Sequence, residues 1–600
     1  MSKSQKLIAR SEVRAEDTWD LSRLFASDAA WEKAFHRFEK QISRYGEFRG
    51  RLAQDADTLA ACLTFDSQLE RAGERLGTYA FLKTAEDQAH GGYQALHARY
   101  QHVATRAAEA ASYLRPEILA IPDKKLRKAL ESPALRPYKL LIERLLRFRP
   151  HTLQEREETL LAMQGEMATA AHKAFRQLLD TDLKFGVVPN EKGQMIELTN
   201  STFSQFLQSP QRAVRRAAFH QYYAQFAAHE NTLAATLAGS IHADVYYARA
   251  RHYPSSLAAA LFPDNVPASV YDQLIAAVRR HLPSVHRYYD IRRRKMRLKD
   301  IHHYDTYVPI LSDLRTRYRW DDAVDEVIAA LAPLGSEYGD ILAAGLRGRW
   351  CDRFANRGKQ SGAFSCGSYD GDPYILMNYK PEVLDDLFTL AHEAGHSMHS
   401  YYSARHQPFC YYNYSIFVAE VASTFNEQLL SQHLLARAAD DQRRAYLLNR
   451  EIDGIRATIV RQTMFAEFEK ITHAMAEAGE PLTVQSFRET YRQLLQDYFG
   501  PDFALDSELT LECLRIPHFY RAFYVYKYAT GLAAAIALSR RVLQGGAAEL
   551  ADYLGFLQGG CSQEPLDLLR GAGVNMELAE PVETALRRFE QLVAELDQLL

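Results

Sequence analysis

Residues 387–400 read LFTLAHEAGHSMHS and contain the pattern HExxH from His392 to His396. The apolar, proline-free residues before the pattern favour a helix. Residues four apart lie on one face of a helix, so His392 and His396 would present two imidazoles to one point, as tetrahedral zinc requires. Glu393 would lie beside the metal, where a carboxylate can take a proton from bound water. The pattern predicts metal-assisted amide hydrolysis, and the alternative is a solvated helix with two surface histidines.

A catalytic zinc ion usually has three protein ligands and one open position. The metzincin pattern needs a glycine at position 399 and a histidine at position 402, where this chain has His399 and Tyr402. Glu420 is the best candidate for the third ligand. It lies in a second predicted helix, where apolar residues such as Phe417 and Val421 flank it. A carboxylate there is costly unless a cation satisfies it. The alternative is a surface glutamate near a helix N-terminus.

Two further residues near these candidates have weaker interpretations. Glu427 follows Glu420 by seven residues and so lies on about the same helix face. It either orients a ligand histidine or is simply solvated, and we favour the solvated glutamate. His399 is close to the face of His396, and since a fourth imidazole would close the site, we interpret it as a supporting or packing residue.

Eight segments of the chain together resemble one known family of peptidases. They are residues 18–21, 175–186, 304–309, 371–379, 387–402, 417–424, 516–531 and 571–576. They are similar to the oligoendopeptidase F group of the thimet oligopeptidase family of zinc peptidases. The similarity spans nearly the whole chain. The segment from 363 to 430 is the most specific part.

The resemblance implies functions for particular residues of this sequence. It implies that His392, His396 and Glu420 bind one zinc ion per chain and that Glu393 is the general base. It also implies a histidine, matched by His518, and a tyrosine that bind the developing oxyanion. The tyrosine candidates are crowded together at Tyr520, Tyr524, Tyr526 and Tyr528. If this stretch is helical, geometry alone does not choose between Tyr526 and Tyr528, and we select Tyr526 because it stands apart from a stripe typical of core packing.

The resemblance also implies a fold. In the family, helical lobes flank a deep central channel with zinc at its floor, which admits short unfolded peptides. The sequence itself predicts a mainly α protein, because Ala, Leu, Arg, Glu and Gln dominate long stretches without Gly or Pro. A glycine-rich stretch at 358–379 interrupts this pattern and predicts a small β-hairpin just before the HExxH helix, with strands at 363–366 and 374–379.

Turn-forming residues at 186–193 predict a domain boundary. We therefore expect an N-terminal helical region at residues 1–186 and a catalytic zinc metallopeptidase domain at residues 187–600. A possible short strand at 195–198 follows the boundary. The free edge of the predicted hairpin could receive an extended peptide by strand addition, or the hairpin could be a structural cap.

Composition excludes several classes of function. The chain has 600 residues, with 72 basic and 75 acidic side chains and a net charge of −3. This balance does not indicate the basic surface that nucleic-acid binding requires. The first ten residues lack the apolar region of a secretory signal, and the longest apolar run, 531–538, is too short for a membrane span of roughly 20 residues. Six scattered cysteines suit reduced thiols in the cytoplasm. We expect neither nucleic-acid nor membrane partners.

Together these observations predict a cytoplasmic zinc oligoendopeptidase that hydrolyses internal bonds of short, unfolded peptides with metal-activated water. Two alternatives are kept. One is a metallocarboxypeptidase on a related helical HExxH scaffold. The other is a non-catalytic peptide-binding protein, against which the intact Glu393 argues. Thermolysin-like arrangements fit worse, because Ser415 and Ile416 stand where a glutamate ligand would be needed.

Overall fold

A computed structural model describes residues 7–311, 314 and 316–600. Within them, α-helices form nearly all of the regular structure, which confirms the predicted mainly α class. Local sequence signals start many of them: Ser27 and Asp55, for example, accept hydrogen bonds from the amides of Ala30 and Thr58 at the first turns of their helices. The helices of the first half are α1 Asp28–Gln41, α2 Ala56–Glu86, α3 Gly91–Ala111, α4 Leu114–Ala120, α5 Asp123–Ala129, α6 Lys139–Arg147, α7 Glu155–Met163, α8 Gly165–Ala168, α9 Ala170–Gln177, α10 Asn200–Leu207, α11 Arg212–Ala228, α12 Glu230–Ala250, α13 Ser256–Leu261 and α14 Ala268–Lys295.

The second half of the chain continues in the same way. Its helices are α15 Trp320–Ala330, α16 Ser336–Arg347, α17 Leu384–His406, α18 Phe409–Tyr412, α19 Ile416–Ala436, α20 Asp441–Ile455, α21 Arg461–Ala478, α22 Val484–Phe499, α23 Tyr526–Gln544, α24 Ala547–Gln558, α25 Pro565–Gly571 and α26 Glu580–Leu599. Over the described residues, no helix has both the length and the apolar character required to cross a lipid bilayer.

The strands are few and short. They are β1 Val187–Pro189, β2 Met195–Glu197, β3 Ile301–His302, β4 Cys351–Asp352, β5 Phe364–Cys366, β6 Tyr374–Leu376 and β7 Phe503–Ala504. The predicted hairpin is confirmed, since β5 and β6 pair antiparallel with Ser365 opposite Ile375. β4 adds to the far side of β6 in parallel, which leaves β5 at the edge of a three-stranded sheet. The predicted strand near 195 is β2, paired with β1.

The chain divides into two compact units. The first contains residues 1–149, 315–433 and 538–573, and the second contains residues 150–314, 434–537 and 574–600. Each unit is assembled from three separate segments, so its limits are not those of the predicted sequence domains. The division into residues 1–186 and 187–600 stays a prediction about the sequence domains.

The first unit has an apolar core that holds the small sheet in place. Trp31 is fully buried there, and its ring stacks on Phe35 of the same helix. Tyr374 and Leu376 of β6 are buried against the same core. β5 in turn packs against α17, so the core fixes the strand beside the HExxH helix. The predicted position of the hairpin next to that helix is therefore confirmed.

The second unit is built around the long helix α14. α26, α22 and α21 pack against it, and Tyr271, Tyr288 and Tyr289 of α14 are buried. β3 and β7 form a short parallel pair in this unit. The unit also carries the segment from Arg515 to Tyr528, which holds the predicted oxyanion-binding residues.

Candidate active site

Two helices of the first unit bring the predicted metal ligands together. α17 carries His392 and His396, and α19 carries Glu420. Candidate ligand atoms of these three residues all lie within 4.8 Å of one another. Glu420 Oε2 is 3.4 Å from His392 Nε2 and 3.7 Å from His396 Nε2. Two ligands of one tetrahedral metal ion, each at about 2.0–2.1 Å, are separated by about 3.3 Å, so both separations suit ligands of a single ion.

Gly395 allows the two helices to approach each other. A Cβ atom at this position would lie 2.5 Å from the Ala422 carbonyl oxygen and 2.5 Å from the Ser423 Cα atom. No side chain fits in that space. Asn426 of α19 then ties the helices together, because its side-chain amide donates to the Ala391 carbonyl oxygen at 3.2 Å. The small residue in the middle of HEAGH therefore brings Glu420 within reach of the histidines.

Glu427 supports the first histidine from behind. Its Oε1 lies 2.8 Å from His392 Nδ1 and accepts a hydrogen bond from that nitrogen. This contact orients the imidazole and leaves Nε2 directed toward Glu420 and His396. Our preference for a solvated glutamate was therefore wrong. The sequence signal was present, since Glu427 lies seven residues after Glu420 on the same helix face.

The site has a surplus of negative charge. Burial lowers the pKa of His392, but its hydrogen bonds to Glu420 and Glu427 outweigh this effect, and the net result is a pKa raised to about 10. The hydrogen bond from His392 lowers the pKa of Glu420. Burial lowers the pKa of His396 to about 4, so that imidazole is neutral and able to bind a metal. Carboxylates beside two imidazoles form a site that favours a divalent cation.

Glu393 lies in a cavity beside the candidate metal ligands, and its side chain is almost completely enclosed. It is 7% exposed, and burial raises its pKa to about 7. His392, Glu393, His396 and Glu420 line this cavity of about 520 Å³ together with residues 363–367, which include the edge strand β5. A buried carboxylate next to the ligand group is a suitable proton acceptor.

His399 is a packing residue. It is 1% exposed, and its ring stacks on Tyr414 at 3.7 Å with an angle of 2° between the planes. Burial lowers its pKa to about 3, so the ring is neutral. Tyr414 lines the site cavity, and its hydroxyl lies 3.0 Å from Ser400 Oγ. No sequence pattern singled out Tyr414, because it belongs to the loop between α18 and α19.

The predicted oxyanion-binding residues lie in the second unit. His518 is in a short 3-10 helix, Pro517–Tyr520, and α23 begins only at Tyr526. Between them Phe523 has a positive φ of 57°. The stretch is therefore not one helix, and the helical spacing used to choose among the tyrosines does not apply to it.

The four tyrosines have different surroundings. Tyr526 is fully buried, with its ring 5.1 Å from that of Tyr271. Tyr520 packs on Phe175. Tyr524 and Tyr528 are only partly buried, and their ring centroids lie 6.3 Å and 6.1 Å from that of His518. The structure thus brings His518 together with Tyr524 and Tyr528, and it packs Tyr526 into the core.

Comparisons with known proteins show which family the chain resembles. The sequence model of Peptidase family M3 matches residues 205–588, and that of the Oligopeptidase F family matches residues 117–185. Oligopeptidase PepF of Bacillus subtilis is 44% identical over 600 residues, which cover 100% of this chain and 89% of that protein. A putative peptidase from Chlamydophila abortus has a similar crystal structure, with a TM-score of 0.94, 35% identity, and coverage of 99% of this chain and 100% of that one.

A second solved structure extends the likeness to a protein described as an endopeptidase. It is the oligoendopeptidase-F from Enterococcus faecium, with a TM-score of 0.74 and 34% identity. The match covers 95% of this chain and 99% of that one. These similarities extend over both compact units.

Proposed function

The chain belongs to Peptidase family M3, and from that premise we propose that His392, His396 and Glu420 hold one zinc ion for the cleavage of peptides. The enzyme is a metallo-endopeptidase that acts on short peptides, as its family and its relatives at 34–44% identity indicate. One observation supports the zinc assignment above all: three ligand atoms from two helices converge within 4.8 Å. Two imidazoles and one carboxylate suit zinc better than magnesium or calcium, which prefer oxygen ligands.

A zinc ion bound there would supply a Lewis acid that polarises the scissile carbonyl and lowers the pKa of water from 15.7 to about 7. Glu393 takes the proton from the attacking water and later gives it to the leaving amine. His392 is held in position by Glu427, so its ring does not need to reorient during the reaction.

Substrate orientation is the function we assign to β5. It is the edge strand of its sheet and lines the same cavity as Glu393. An extended peptide could add to that edge through backbone hydrogen bonds, which are independent of the peptide sequence. This arrangement suits an enzyme that accepts many short peptides.

His518 and one tyrosine are proposed to donate hydrogen bonds to the oxyanion. Each such donor contributes up to roughly 3–4 kcal/mol to catalysis. The sequence-based choice was Tyr526, and the ring contacts and partial exposure favour Tyr528 instead. Burial lowers the pKa of His518, so a neutral imidazole would be the donor.

The experiment that tests this function uses an internally quenched peptide blocked at both ends. We expect cleavage at an internal bond, loss of cleavage on treatment with a chelator, and recovery with zinc. A carboxypeptidase would not cut the blocked peptide, and a peptide-binding protein would cut nothing. The six free thiols are consistent with the cytoplasm as the proposed location.

A further inference from the structure

A second cavity lies within the second compact unit, apart from the metal ligands. Its volume is about 340 Å³. Three of the segments that carried the family resemblance meet at its wall. Arg176 comes from the segment 175–186, Tyr307 from the segment 304–309 and Pro517 from the segment 516–531. The mechanism proposed above uses none of these residues, so their convergence on one cavity needs another explanation.

Arg515 gives the cavity wall a cationic group. Its Nε donates to the Tyr223 hydroxyl at 3.2 Å, and its Nη2 donates to Glu512 Oε1 at 3.0 Å. Its Nη1 has no hydrogen-bond partner among the residues that the structure describes. The guanidinium side chain is 20% exposed, and Arg515 lines the cavity. One end of the guanidinium is thus fixed by the protein, and the other end can bind a ligand.

The charges around the cavity wall favour an anion. Glu512 is shared, because it also accepts from Arg461 Nη2 at 2.6 Å. Two guanidiniums, those of Arg461 and Arg515, therefore share one carboxylate. The remaining charged residues on the wall, Arg176 and Asp180, form an ion pair with each other at 2.6 Å.

Tyr307 provides a hydroxyl on the same wall. Its side chain is 41% exposed although it lies in a cavity, and its hydroxyl is 3.4 Å from His303 Nε2. His303 is 2% exposed, and its Nδ1 has no hydrogen-bond partner in the described part of the chain. Burial lowers the pKa of His303 to about 3, so the ring stays neutral and holds Tyr307 without competing for an anion.

We propose that this cavity binds a carboxylate of the peptide substrate between the Arg515 guanidinium and the Tyr307 hydroxyl. Arginine and hydroxyl donors are the groups that bind carboxylates in proteins. The proposal rests on the proposed function, because Pro517 of the cavity wall directly precedes His518. A peptide held at His518 would have a neighbouring residue in the cavity. Phe203 and Leu207 provide an apolar surface for the aliphatic part of that residue.

The carboxylate could come from the C-terminus of the peptide or from an acidic side chain, and three peptides distinguish the two. The first has a free C-terminal carboxylate, the second is its C-terminal amide, and the third is the amide with glutamate in place of glutamine near the scissile bond. We expect a KM about tenfold lower for a peptide that presents the recognised carboxylate, as one charge-assisted hydrogen bond can provide. A preference for the free acid would assign the C-terminus, and a preference for glutamate would assign a side chain.

Two variants connect the preference to the cavity. Tyr307→Phe removes only the hydroxyl, and Arg515→Met removes the guanidinium while Glu512 keeps Arg461. Both should lose the preference for the carboxylate and cleave the neutral peptide nearly as well as the unaltered enzyme. The matched control is Tyr246→Phe, since Tyr246 is 44% exposed in the same unit and its hydroxyl accepts from Gln164. It should keep the preference.

The outcomes separate the two proposals. Equal KM values for all three peptides with the unaltered enzyme would overturn the cavity assignment and leave the peptidase function intact. A preference that survives in both cavity variants would also overturn it. Loss of cleavage of every peptide by the unaltered enzyme would reject the proposed function instead. If either variant fails to fold, peptide affinities measured by calorimetry on the inactive Glu393→Gln enzyme still decide whether a carboxylate is recognised.

Discussion

Gly395 and Ser423 lie so close together that a Cβ atom on the glycine would be 2.5 Å from the Cα atom of the serine. Real Cβ atoms do not approach another heavy atom this closely. The contact is the point at which α17 and α19 touch, with His396 next to Gly395 on one helix and Glu420 one turn before Ser423 on the other. The arrangement of the candidate metal ligands therefore depends on the absence of a side chain at position 395.

Gly395→Ala should separate the two helices and weaken metal binding. We expect the purified variant to contain much less zinc by elemental analysis and to lose at least about 100-fold in kcat/KM, because a displacement of 1 Å at a reacting centre can have that effect. Gly454→Ala in α20 is the control, since a Cβ there meets nothing within 4 Å. That variant should be unaffected or slightly more stable, by up to about 1 kcal/mol. Normal zinc content in Gly395→Ala would contradict the close-contact argument.

Glu393→Gln should retain the metal and lose turnover. The amide keeps the size of the side chain but cannot accept the proton, so kcat should fall about 10²–10⁴-fold. Zinc content and peptide affinity should be unchanged. Turnover close to that of the unaltered enzyme would assign the base to another residue.

Two substitutions of Glu427 should lower the metal affinity to different extents. Glu427→Gln keeps an oxygen that can accept from His392 Nδ1 but removes the charge, whereas Glu427→Ala removes both. We expect zinc affinity to fall about 10–100-fold for the alanine variant and less for the glutamine variant. Competition with a fluorescent chelator measures both values. Equal affinity in all three proteins would return Glu427 to the solvated role first assigned to it.

Tyr528→Phe should lower kcat with little change in KM, because an oxyanion donor acts in the transition state. A loss of about 100-fold is expected for one donor. Tyr526→Phe is the comparison, and it should change stability more than kcat because its side chain is fully buried. If only Tyr526→Phe lowers kcat, the choice made from the sequence is right and the one made from the ring contacts is wrong.

His303 should make the fold sensitive to acid. In the unfolded chain its pKa is about 6.5, whereas burial lowers the pKa to about 3 in the folded protein. The unfolded state therefore takes up the proton first, and stability is lost as the pH falls from about 6.5 toward 3. When the pH is lowered from 6.5 to 5, the free energy of unfolding of the metal-free protein should fall by about 1.5–2 kcal/mol more than that of the His303→Asn variant. Urea unfolding at the two pH values measures this difference, and equal losses would contradict it.

Much of the metal site was predictable because its signals are local. Helical periodicity places His392 and His396 on one face, and an isolated carboxylate among apolar residues marks Glu420. The hairpin strands were likewise indicated by the glycine-rich composition of residues 358–379. The contribution of Glu427 needed the tertiary contact between α17 and α19, although its spacing was visible.

The rest could not be read from sequence, because it depends on distant pairing or on a local break in regular structure. Cys351 and Asp352 form a strand only because β6 lies beside them. Helical spacing could not identify the tyrosine, because the stretch is not one helix: Phe523 adopts a positive φ before α23 begins. The cavity at Arg515 is lined by segments more than 300 residues apart in the sequence, so no local sequence pattern predicts it.

The first compact unit contains residues 1–149, 315–433 and 538–573, and this has a consequence for biosynthesis. α17 packs against α24, which belongs to the last of the three segments. At a translation rate of roughly 5–20 residues per second, about 8–30 s pass between the synthesis of α17 and that of α24. The helix that carries His392 and His396 thus acquires this neighbour only after about 140 more residues have been made, and a nascent chain released before then would lack part of the packing around the candidate site.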